Sequence, residues 1–167
     1  MISANPPFSV VVLAGDRQSR DPVAEHAGVS CKALVPVAGR AMVLRVLEAL
    51  SEAREVGRPT LVGPSMTSVE ENKELAEQVR SGLVQWMAPQ ATPSTSAFEA
   101  LQSLPVDVPV LLTTADHALL TPEMIDHFCS EARKSGCDVV AGVARHELIA
   151  QAFPESKRTG PKRHDGG

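Results

Sequence analysis

Aromatic residues are scarce in this 167-residue sequence, since phenylalanine, tryptophan and tyrosine together make up only 3% of it. Proteins that bind single-stranded nucleic acid stack bases on aromatic side chains, so this composition does not favour that class. Positive charge is not in excess either, because the formal net charge is -4. A chain with this charge has no general attraction to nucleic acid or to an anionic membrane surface.

Cysteines and long apolar runs are also few. The three cysteines, Cys31, Cys129 and Cys137, include no Cys-x-x-Cys pair, and such an odd, unpatterned set is typical of a reduced, cytoplasmic protein. No apolar run approaches the ~18 residues that suggest a membrane span. The first residues lack the basic start and the apolar core of a signal peptide. We therefore expect a cytoplasmic protein that does not associate with membranes.

Short aliphatic runs alternate with helical periodicity along the chain. Five runs have the length and composition of buried strands: 9–14, 60–63, 83–87, 110–114 and 138–143. Apolar residues recur at helical spacing in two stretches: Val43, Val46, Leu47 and Leu50, and Ile125, Phe128, Cys129 and Ala132. Thr121 can cap the second of these helices, with Pro122 at its first position. Continuous apolar strands separated by helices predict a three-layer α/β/α, Rossmann-like fold with a mostly parallel sheet.

The first predicted strand leads into a loop with two arginines. Leu13, Ala14 and Gly15 close the aliphatic run, and Arg17 and Arg20 follow. Ligands of open α/β sheets bind beyond the carboxyl ends of the strands, and arginine suits bidentate contacts to phosphate. The loop contains neither the G-x-G-x-x-G of a dinucleotide site nor the G-x-x-x-x-G-K-[ST] of a P-loop. On these residues alone, a solvated surface loop is the favoured interpretation.

The segment C-K-A-L-V-P-V-A-G-R-A-M, from Cys31 to Met42, changes this balance. L-A-G-x-x-x-x-R, then Lys32, then a hydrophobic-Pro-x-x-Gly-x-x-Met pattern resembles the signature of nucleotidyltransferases with the glycosyltransferase-A-like fold. Within that superfamily, the chain is most similar to the molybdenum-cofactor guanylyltransferase-like (MobA-like) branch. The resemblance implies that Arg20 and Lys32 are catalytic, because they hold a triphosphate and offset charge on the departing pyrophosphate. It also implies nucleotide-binding roles for four loop residues: Leu13, Ala14, Gly15 and Arg17.

The loop departs from the family's L-A-G-G-x-G-x-R at two positions, where Asp16 and Gln18 stand in place of glycines. Glycines at these positions let backbone N–H groups face phosphate oxygens. A carboxylate, by contrast, is repelled by a triphosphate unless a metal ion lies between them. The two departures indicate a divergent subgroup.

A second segment, A-T-P-S-T-S-A-F-E, follows the third predicted strand. Ser96 and Glu99 have the spacing of a capping box, and Phe98 and Leu101 belong to the apolar face of the helix that would begin there. Hydroxyl groups and free N–H groups at a helix start can also receive a base edge or an anion. The resemblance implies that this turn helps to seat the nucleotide base through three residues: Ser94, Thr95 and Ser96.

Asp116 directly follows the aliphatic run 110–114. Mg²⁺ prefers hard oxygen ligands and often takes only one or two carboxylates plus substrate phosphates. The resemblance implies a metal-binding aspartate at the end of this strand. Alternatively, Asp116 only shapes an Asx turn. The presence of Arg20 and Lys32 as candidate phosphate-binding residues favours the metal-binding interpretation. His117 is expected to face solvent.

The resemblance implies a Mg²⁺-dependent enzyme that transfers a nucleoside monophosphate from a nucleoside triphosphate to a small phosphorylated acceptor and releases pyrophosphate. Two alternatives stay open: a nucleotide-sugar glycosyltransferase of the same fold, and a non-catalytic nucleotide-binding module. We expect the nucleotidyltransferase-like domain over residues 1–153. Residues 154–167 are either a basic tail or the start of an incomplete acceptor region, which leaves open whether the fold is complete at its C-terminal side.

Overall fold

The computed structural model describes residues 7–16 and 21–155 of the chain. The chain divides into two compact units, Met1–Gly136 and Cys137–Gly167. In the described part, every strand belongs to the first unit, and the second unit contains one helix. The functional boundary expected between residues 153 and 154 stays a prediction.

A four-stranded parallel sheet forms the centre of the first unit. Its strands are β1 (Phe8–Leu13), β4 (Val56–Val62), β5 (Gln85–Met87) and β6 (Val110–Thr114), in the order β5-β4-β1-β6. Val11 of β1 pairs with Thr60 on one side and with Leu112 on the other. Two short strands, β2 (Pro36–Val37) and β3 (Arg40–Ala41), form a separate antiparallel pair. The predicted mostly parallel sheet is confirmed.

Seven α-helices accompany these strands in the described residues: α1 (Pro22–Ala27), α2 (Met42–Glu52), α3 (Met66–Glu71), α4 (Lys73–Arg80), α5 (Pro93–Gln102), α6 (Pro122–Ser135) and α7 (His146–Ala152). A 3₁₀-helix spans Lys32–Leu34. Helix α6 begins as predicted, because Thr121 accepts a hydrogen bond from the N–H of Met124 and Pro122 occupies the first turn. It ends at Gly136, whose φ of 63° is a left-handed conformation that suits glycine.

The core lies on both faces of the sheet. Val10 and Val12 belong to the larger apolar cluster, which includes the predicted buried face of α2: Val43, Val46, Leu47 and Leu50. Val11, between them, points to the opposite face, where it packs with Val62 and with Ala100 of α5. Since alternate residues of a strand face opposite sides, three consecutive valines can all be buried only when both faces are covered. The three-layer α/β/α arrangement follows.

One predicted strand is wrong, because residues 138–143 form no strand. Val139 and Val143 are 86% and 88% exposed. A strand exists only where its backbone N–H and C=O groups pair with a neighbour, and an apolar run does not specify that neighbour. Two other predicted strands have different bounds, since β4 begins at Val56 and β5 covers only Gln85–Met87.

The start of α5 also differs from the prediction. Thr92, not Ser96, is the N-cap, and it forms a reciprocal capping box with Thr95. Because the helix begins with Pro93 at its first position, residues 96 and 100 turn toward the sheet. Phe98 and Leu101, expected on the apolar face, are therefore 60% and 43% exposed.

Within residues 7–16 and 21–155, no helix is long and apolar enough to cross a lipid bilayer. The cytoplasmic location expected from the sequence stays a prediction.

Candidate nucleotide site

The strand order places a topological switch point between β1 and β6. From β1 the chain proceeds outward through β4 to β5 on one side, and then returns to add β6 on the other side. Loops diverge at such a point, which leaves a crevice beyond the carboxyl ends of the two strands. Two clefts share this edge, with volumes of about 560 Å³ and 250 Å³. Leu13, Gly15 and Asp16 line both of them.

Two of the loops at this edge of the sheet approach each other closely. Gly63 follows β4 with a φ of 72°, and a Cβ atom placed on it would lie 3.0 Å from the backbone nitrogen of Gly15. A side chain at residue 63 would thus need both a strained backbone and a displaced β1 loop. Sequence reasoning singled out Gly15 but missed Gly63, since the contact joins segments that are 48 positions apart (63 - 15).

Lys32 and Asp116 face each other in the larger cleft. Lys32 Nζ lies 2.6 Å from Asp116 Oδ2, and the Thr114 hydroxyl donates a hydrogen bond of 2.5 Å to Asp116 Oδ1. Lys32 begins the 3₁₀-helix, whose other residues, Ala33 and Leu34, are buried. Partial burial by itself raises the pKa of Asp116, but the hydrogen bonds from Lys32 and Thr114 and the Lys32 charge lower it below its usual value overall. The Asp116 carboxylate is therefore ionised at neutral pH.

Asp16 contacts the backbone of the same lysine. Its Oδ1 and Oδ2 atoms both accept from the Lys32 backbone N–H, at 3.2 Å and 3.3 Å. Although the residue as a whole is exposed, partial withdrawal of the carboxyl group from solvent raises its pKa. The hydrogen bond from Lys32 opposes this rise. The Asp16 carboxylate is thus occupied by a protein donor.

Hydroxyl groups from three separate segments line the smaller cleft. Ser30 Oγ donates to Ser68 Oγ over 2.9 Å, and Ser65 Oγ lies 3.1 Å from the same Ser68 atom. Buried Ser96 accepts a hydrogen bond of 2.8 Å from the backbone N–H of Gln90 and so holds the loop that precedes α5. Polar and apolar groups both line this cleft, and none of its lining residues within the described part of the chain is basic.

Residues 10–158 match the family model of the MobA-like NTP transferase domain. The chain belongs to this family. The match covers most of the sequence, including every residue of the two clefts. The match confirms the resemblance to nucleotidyltransferases that the L-A-G-x-x-x-x-R motif and Lys32 indicated.

Similar solved structures support the same architecture. A hypothetical transferase from Thermus thermophilus is 27% identical, with a TM-score of 0.59 over 92% of this chain and 58% of that one. The 4-diphosphocytidyl-2C-methyl-D-erythritol synthase of Anaerococcus prevotii is 19% identical, with a TM-score of 0.58 over 80% and 53%. CMP:2-keto-3-deoxy-manno-octonic acid synthetase complexed with CTP is 13% identical, with a TM-score of 0.55 over 77% and 48%.

The solved chains are longer than this one. The chain spans between 48% and 58% of the length of these three solved chains, and the two less similar ones bear on the fold alone. No curated protein matches the sequence. The comparisons therefore establish a MobA-like, Rossmann-like domain, and its activity is a matter for proposal.

Metal-binding capacity in the MobA-like site rests on few carboxylates. In the described part of the chain, no three His, Cys, Asp or Glu side chains gather as metal ligands. Asp21 also lines the larger cleft, but its carboxylate caps α1 by accepting from the N–H groups of Val23 and Ala24. The Asp116 carboxylate is ionised and partly exposed, and its oxygens are hard donors. Such a group suits Mg²⁺ when phosphates and water supply the other ligands.

The predicted site residues separate into three groups. Five line the larger cleft together: Leu13, Ala14, Gly15, Lys32 and Asp116. Of the predicted base-contacting turn, Ser96 lines the smaller cleft, whereas Thr95 completes the capping box and Ser94 is exposed on the first turn of α5. Arg17 and Arg20 lie outside the described residues, and their roles stay predictions.

Several residues of the MobA-like site escaped the sequence reasoning. Thr114 could have been found, because a hydroxyl two positions before a carboxylate is within reach of a local hydrogen bond. Ser65 and Ser68 lie together at the start of α3, but their contact with Ser30 has no sequence signal, since Ser30 lies 38 positions before Ser68. His117, expected to face solvent, is exposed, and its Nδ1 lies 3.1 Å from the Thr113 hydroxyl oxygen.

Proposed function

We propose that this chain is a Mg²⁺-dependent nucleotidyltransferase, which transfers a nucleoside monophosphate from a nucleoside triphosphate to a small phosphorylated acceptor. The observation that carries the proposal is the pairing of Lys32 with Asp116 beside the backbone of Leu13–Gly15, at the switch point of the sheet. A magnesium triphosphate needs both a cation for its phosphates and an anion for its metal. This cleft offers one of each within a few ångströms.

The two clefts divide the nucleotide between them in this proposal. The smaller cleft, with its serine hydroxyls and its backbone from the 89–92 loop, suits a neutral base that forms hydrogen bonds. The larger cleft, which contains Lys32, suits the triphosphate and the acceptor. Leu13, Ala14 and Gly15 lie where sugar and phosphates would pass from one cleft to the other. Because Gly15 has no side chain, backbone and ligand can approach closely there.

The proposed reaction is an in-line displacement at the α-phosphorus. An acceptor phosphate oxygen forms a bond to that phosphorus, and the bond to the oxygen that bridges the α- and β-phosphorus atoms breaks. Pyrophosphate leaves with the electron pair of the broken bond. Such chemistry depends on positioning and on the stabilisation of developing negative charge more than on a covalent nucleophile.

The chain's own residues have distinct parts in this reaction. Lys32, together with Arg20 and Arg17, contacts phosphate oxygens and offsets the charge that develops on pyrophosphate. Asp116 would hold Mg²⁺, and the Thr114 hydroxyl keeps its carboxylate oriented. The metal, when bound, supplies positive charge at the phosphate oxygens.

Titration of the protein with ATP, GTP, CTP and UTP, with and without Mg²⁺, tests the binding part of this proposal. Calorimetry should show binding of at least one nucleotide, strengthened by Mg²⁺ and weakened by Lys32→Ala. Pyrophosphate release in the presence of a panel of small phosphomonoesters then tests turnover. Absence of binding by all four would refute the proposal. Binding without pyrophosphate release would favour a nucleotide-binding module, and tighter binding of nucleotide-sugars without such release would favour a glycosyltransferase.

A further inference from the structure

We propose that Asp16 is a positioning residue for Lys32: its carboxylate holds the backbone N–H from which the phosphate-binding side chain starts. The inference rests on the proposed function, because it assigns Asp16 a part in how Lys32 meets the triphosphate. It concerns a residue at which this chain departs from its family.

The 3₁₀-helix Lys32–Leu34 lacks a cap of its own. Its N-cap residue, Cys31, is extended and makes no side-chain capping hydrogen bond. The first N–H groups of any helix have no partner inside it, and a side-chain oxygen commonly satisfies one of them. Here that oxygen comes from a residue 16 positions earlier, since both carboxylate oxygens of Asp16 accept from the Lys32 N–H.

The other residues of this short helix are already held in place. Ala33 and Leu34 are only 4% and 6% exposed, and the N–H groups of Leu34 and Val35 donate to Cys31 and Lys32. Lys32 and Ala33 both line the larger cleft, and Lys32 is the one charged residue of the helix. With its backbone joined to Asp16 and its ammonium at Asp116, the lysine is held at both ends between the loops after β1 and β6.

Asp16 has two opposing effects on a bound phosphate chain. Its charge repels the phosphates, which weakens binding. Its hydrogen bond restricts the position of Lys32, which strengthens binding because less conformational freedom is lost when the contact forms. Asp16→Asn removes the charge but keeps an acceptor oxygen of the same reach. Asp16→Ala removes both, so the difference between the two variants isolates the hydrogen bond.

Inorganic tripolyphosphate, titrated calorimetrically into the full chain, is a suitable probe because it carries no base. We expect Asp16→Asn to bind it at least as tightly as the parent, and Asp16→Ala to bind it about three- to tenfold more weakly than Asp16→Asn. In a Lys32→Ala background, this difference between the two Asp16 variants should vanish, since the hydrogen bond then positions no cation.

Equal affinities of Asp16→Ala and Asp16→Asn, or a difference that persists without Lys32, would overturn the inference. Asp16→Leu, which has nearly the shape of asparagine but no acceptor oxygen, replaces Asp16→Ala if the latter does not fold, and the same result is expected of it. The proposed function has a separate readout in the same series. If Lys32→Ala alone leaves tripolyphosphate affinity unchanged, the phosphate role of the lysine itself is wrong.

Discussion

Lys32 and Asp116 form an ion pair of 2.6 Å between segments that are 84 positions apart in the sequence. Their side chains are 38% and 41% exposed, respectively. Ion pairs with this degree of exposure contribute little to folding, about 0.2–1 kcal/mol. The pair nevertheless lies in the larger cleft at the sheet's switch point. Substitutions of either residue should therefore affect ligand binding much more than stability.

Replacement of Lys32 by alanine should weaken triphosphate binding by about 1.5–3 kcal/mol, because a charge-assisted phosphate contact is lost. The melting temperature should change little. Lys134→Ala is a matched control, since Lys134 is also an exposed lysine in an ion pair, at 2.8 Å from Glu131, but it lies outside both clefts. In calorimetric titrations, Lys134→Ala should bind triphosphate with the same affinity as the parent. An affinity for Lys32→Ala that matches Lys134→Ala would contradict the phosphate role.

The same loss is predicted for Arg20→Ala on the basis of the L-A-G-x-x-x-x-R spacing alone. Arginine suits bidentate phosphate contacts, and a solvated loop cation contributes little to folding. Triphosphate affinity and melting temperature, measured side by side, check the prediction. Unchanged affinity would mean that the family's loop does not apply to this chain.

Asp116→Asn should abolish the Mg²⁺-dependent part of nucleotide binding, because the amide keeps the shape of the carboxylate but not its charge. Weak binding through Lys32 should remain. Asp126 supplies a structural comparison: its Oδ1 accepts from the N–H groups of Arg54 and Glu55, at 2.8 Å and 3.0 Å. Asp126→Asn replaces a charged acceptor by a weaker neutral one, so it should lower the free energy of unfolding by about 1 kcal/mol and keep the full Mg²⁺ response. Equal Mg²⁺ enhancement in the parent and in Asp116→Asn would remove Asp116 from the site.

Lys32 should also compete with a divalent cation for Asp116 when no nucleotide is bound, since its ammonium already contacts Oδ2. Lys32→Ala removes the hydrogen bond and the positive charge that lower the pKa of Asp116, so this pKa should rise. The carboxylate should still be ionised at neutral pH and accessible to a metal ion. Water-proton relaxation with Mn²⁺ should therefore show tighter metal binding by the nucleotide-free variant than by the parent. Weaker or equal binding would show that the lysine does not compete for this carboxylate.

The three cysteines should differ sharply in reactivity. Cys129 is fully buried, and desolvation raises the pKa of its thiol to about 11, so very little thiolate forms at pH 8. Burial also raises the pKa of Cys31, whereas Cys137 is exposed. Iodoacetamide should modify Cys137 first in the folded protein, and the other two at comparable rates only after denaturation. Peptide mass mapping over time checks this order, and early labelling of Cys129 would contradict its burial.

Proton linkage at Cys129 also predicts a direction for alkaline stability. The thiol of the folded protein holds its proton more tightly than the thiol of the unfolded chain, whose pKa is 9.0. Its contribution to stability is therefore complete below pH 9 and is lost as the pH rises toward 11. Denaturant unfolding between these pH values should show a falling free energy of unfolding. A smaller decline in Cys129→Val, which has no titratable group there, would assign that part of the decline to this thiol.

Local patterns in the sequence were sufficient for most of the fold. The valines at 10–12 have no polar alternation, and a strand of that kind is stable only when both of its faces are covered. The residues at 43, 46, 47 and 50 recur at the period of one helix face. Thr121 and Pro122 act within one turn. Each of these signals depends on neighbours within a few positions, so each can be read without knowledge of the tertiary structure.

Features that depend on distant partners could not be predicted in this way. Residues 138–143 have the composition of a strand but no assigned strand structure. Several hydroxyl residues near the start of α5 could cap the helix, and the structure shows that Thr92 is the N-cap. Gly63 is required by the backbone of Gly15, and the serines of the smaller cleft come from separate segments.

By itself, the sequence determined a parallel α/β domain of the MobA-like family and the two ends of a site, Gly15 with Lys32 and Asp116. The fold follows from hydrophobic periodicity, Gly15 and Lys32 follow from one motif near the start of the chain, and Asp116 follows from its place directly after a predicted strand. Only the tertiary structure decided that Lys32 meets Asp116 through its ammonium and Asp16 through its backbone N–H. The physical reason is that hydrogen bonds and ion pairs act over about 3 Å, and only folding brings residues 16, 32 and 116 within that distance.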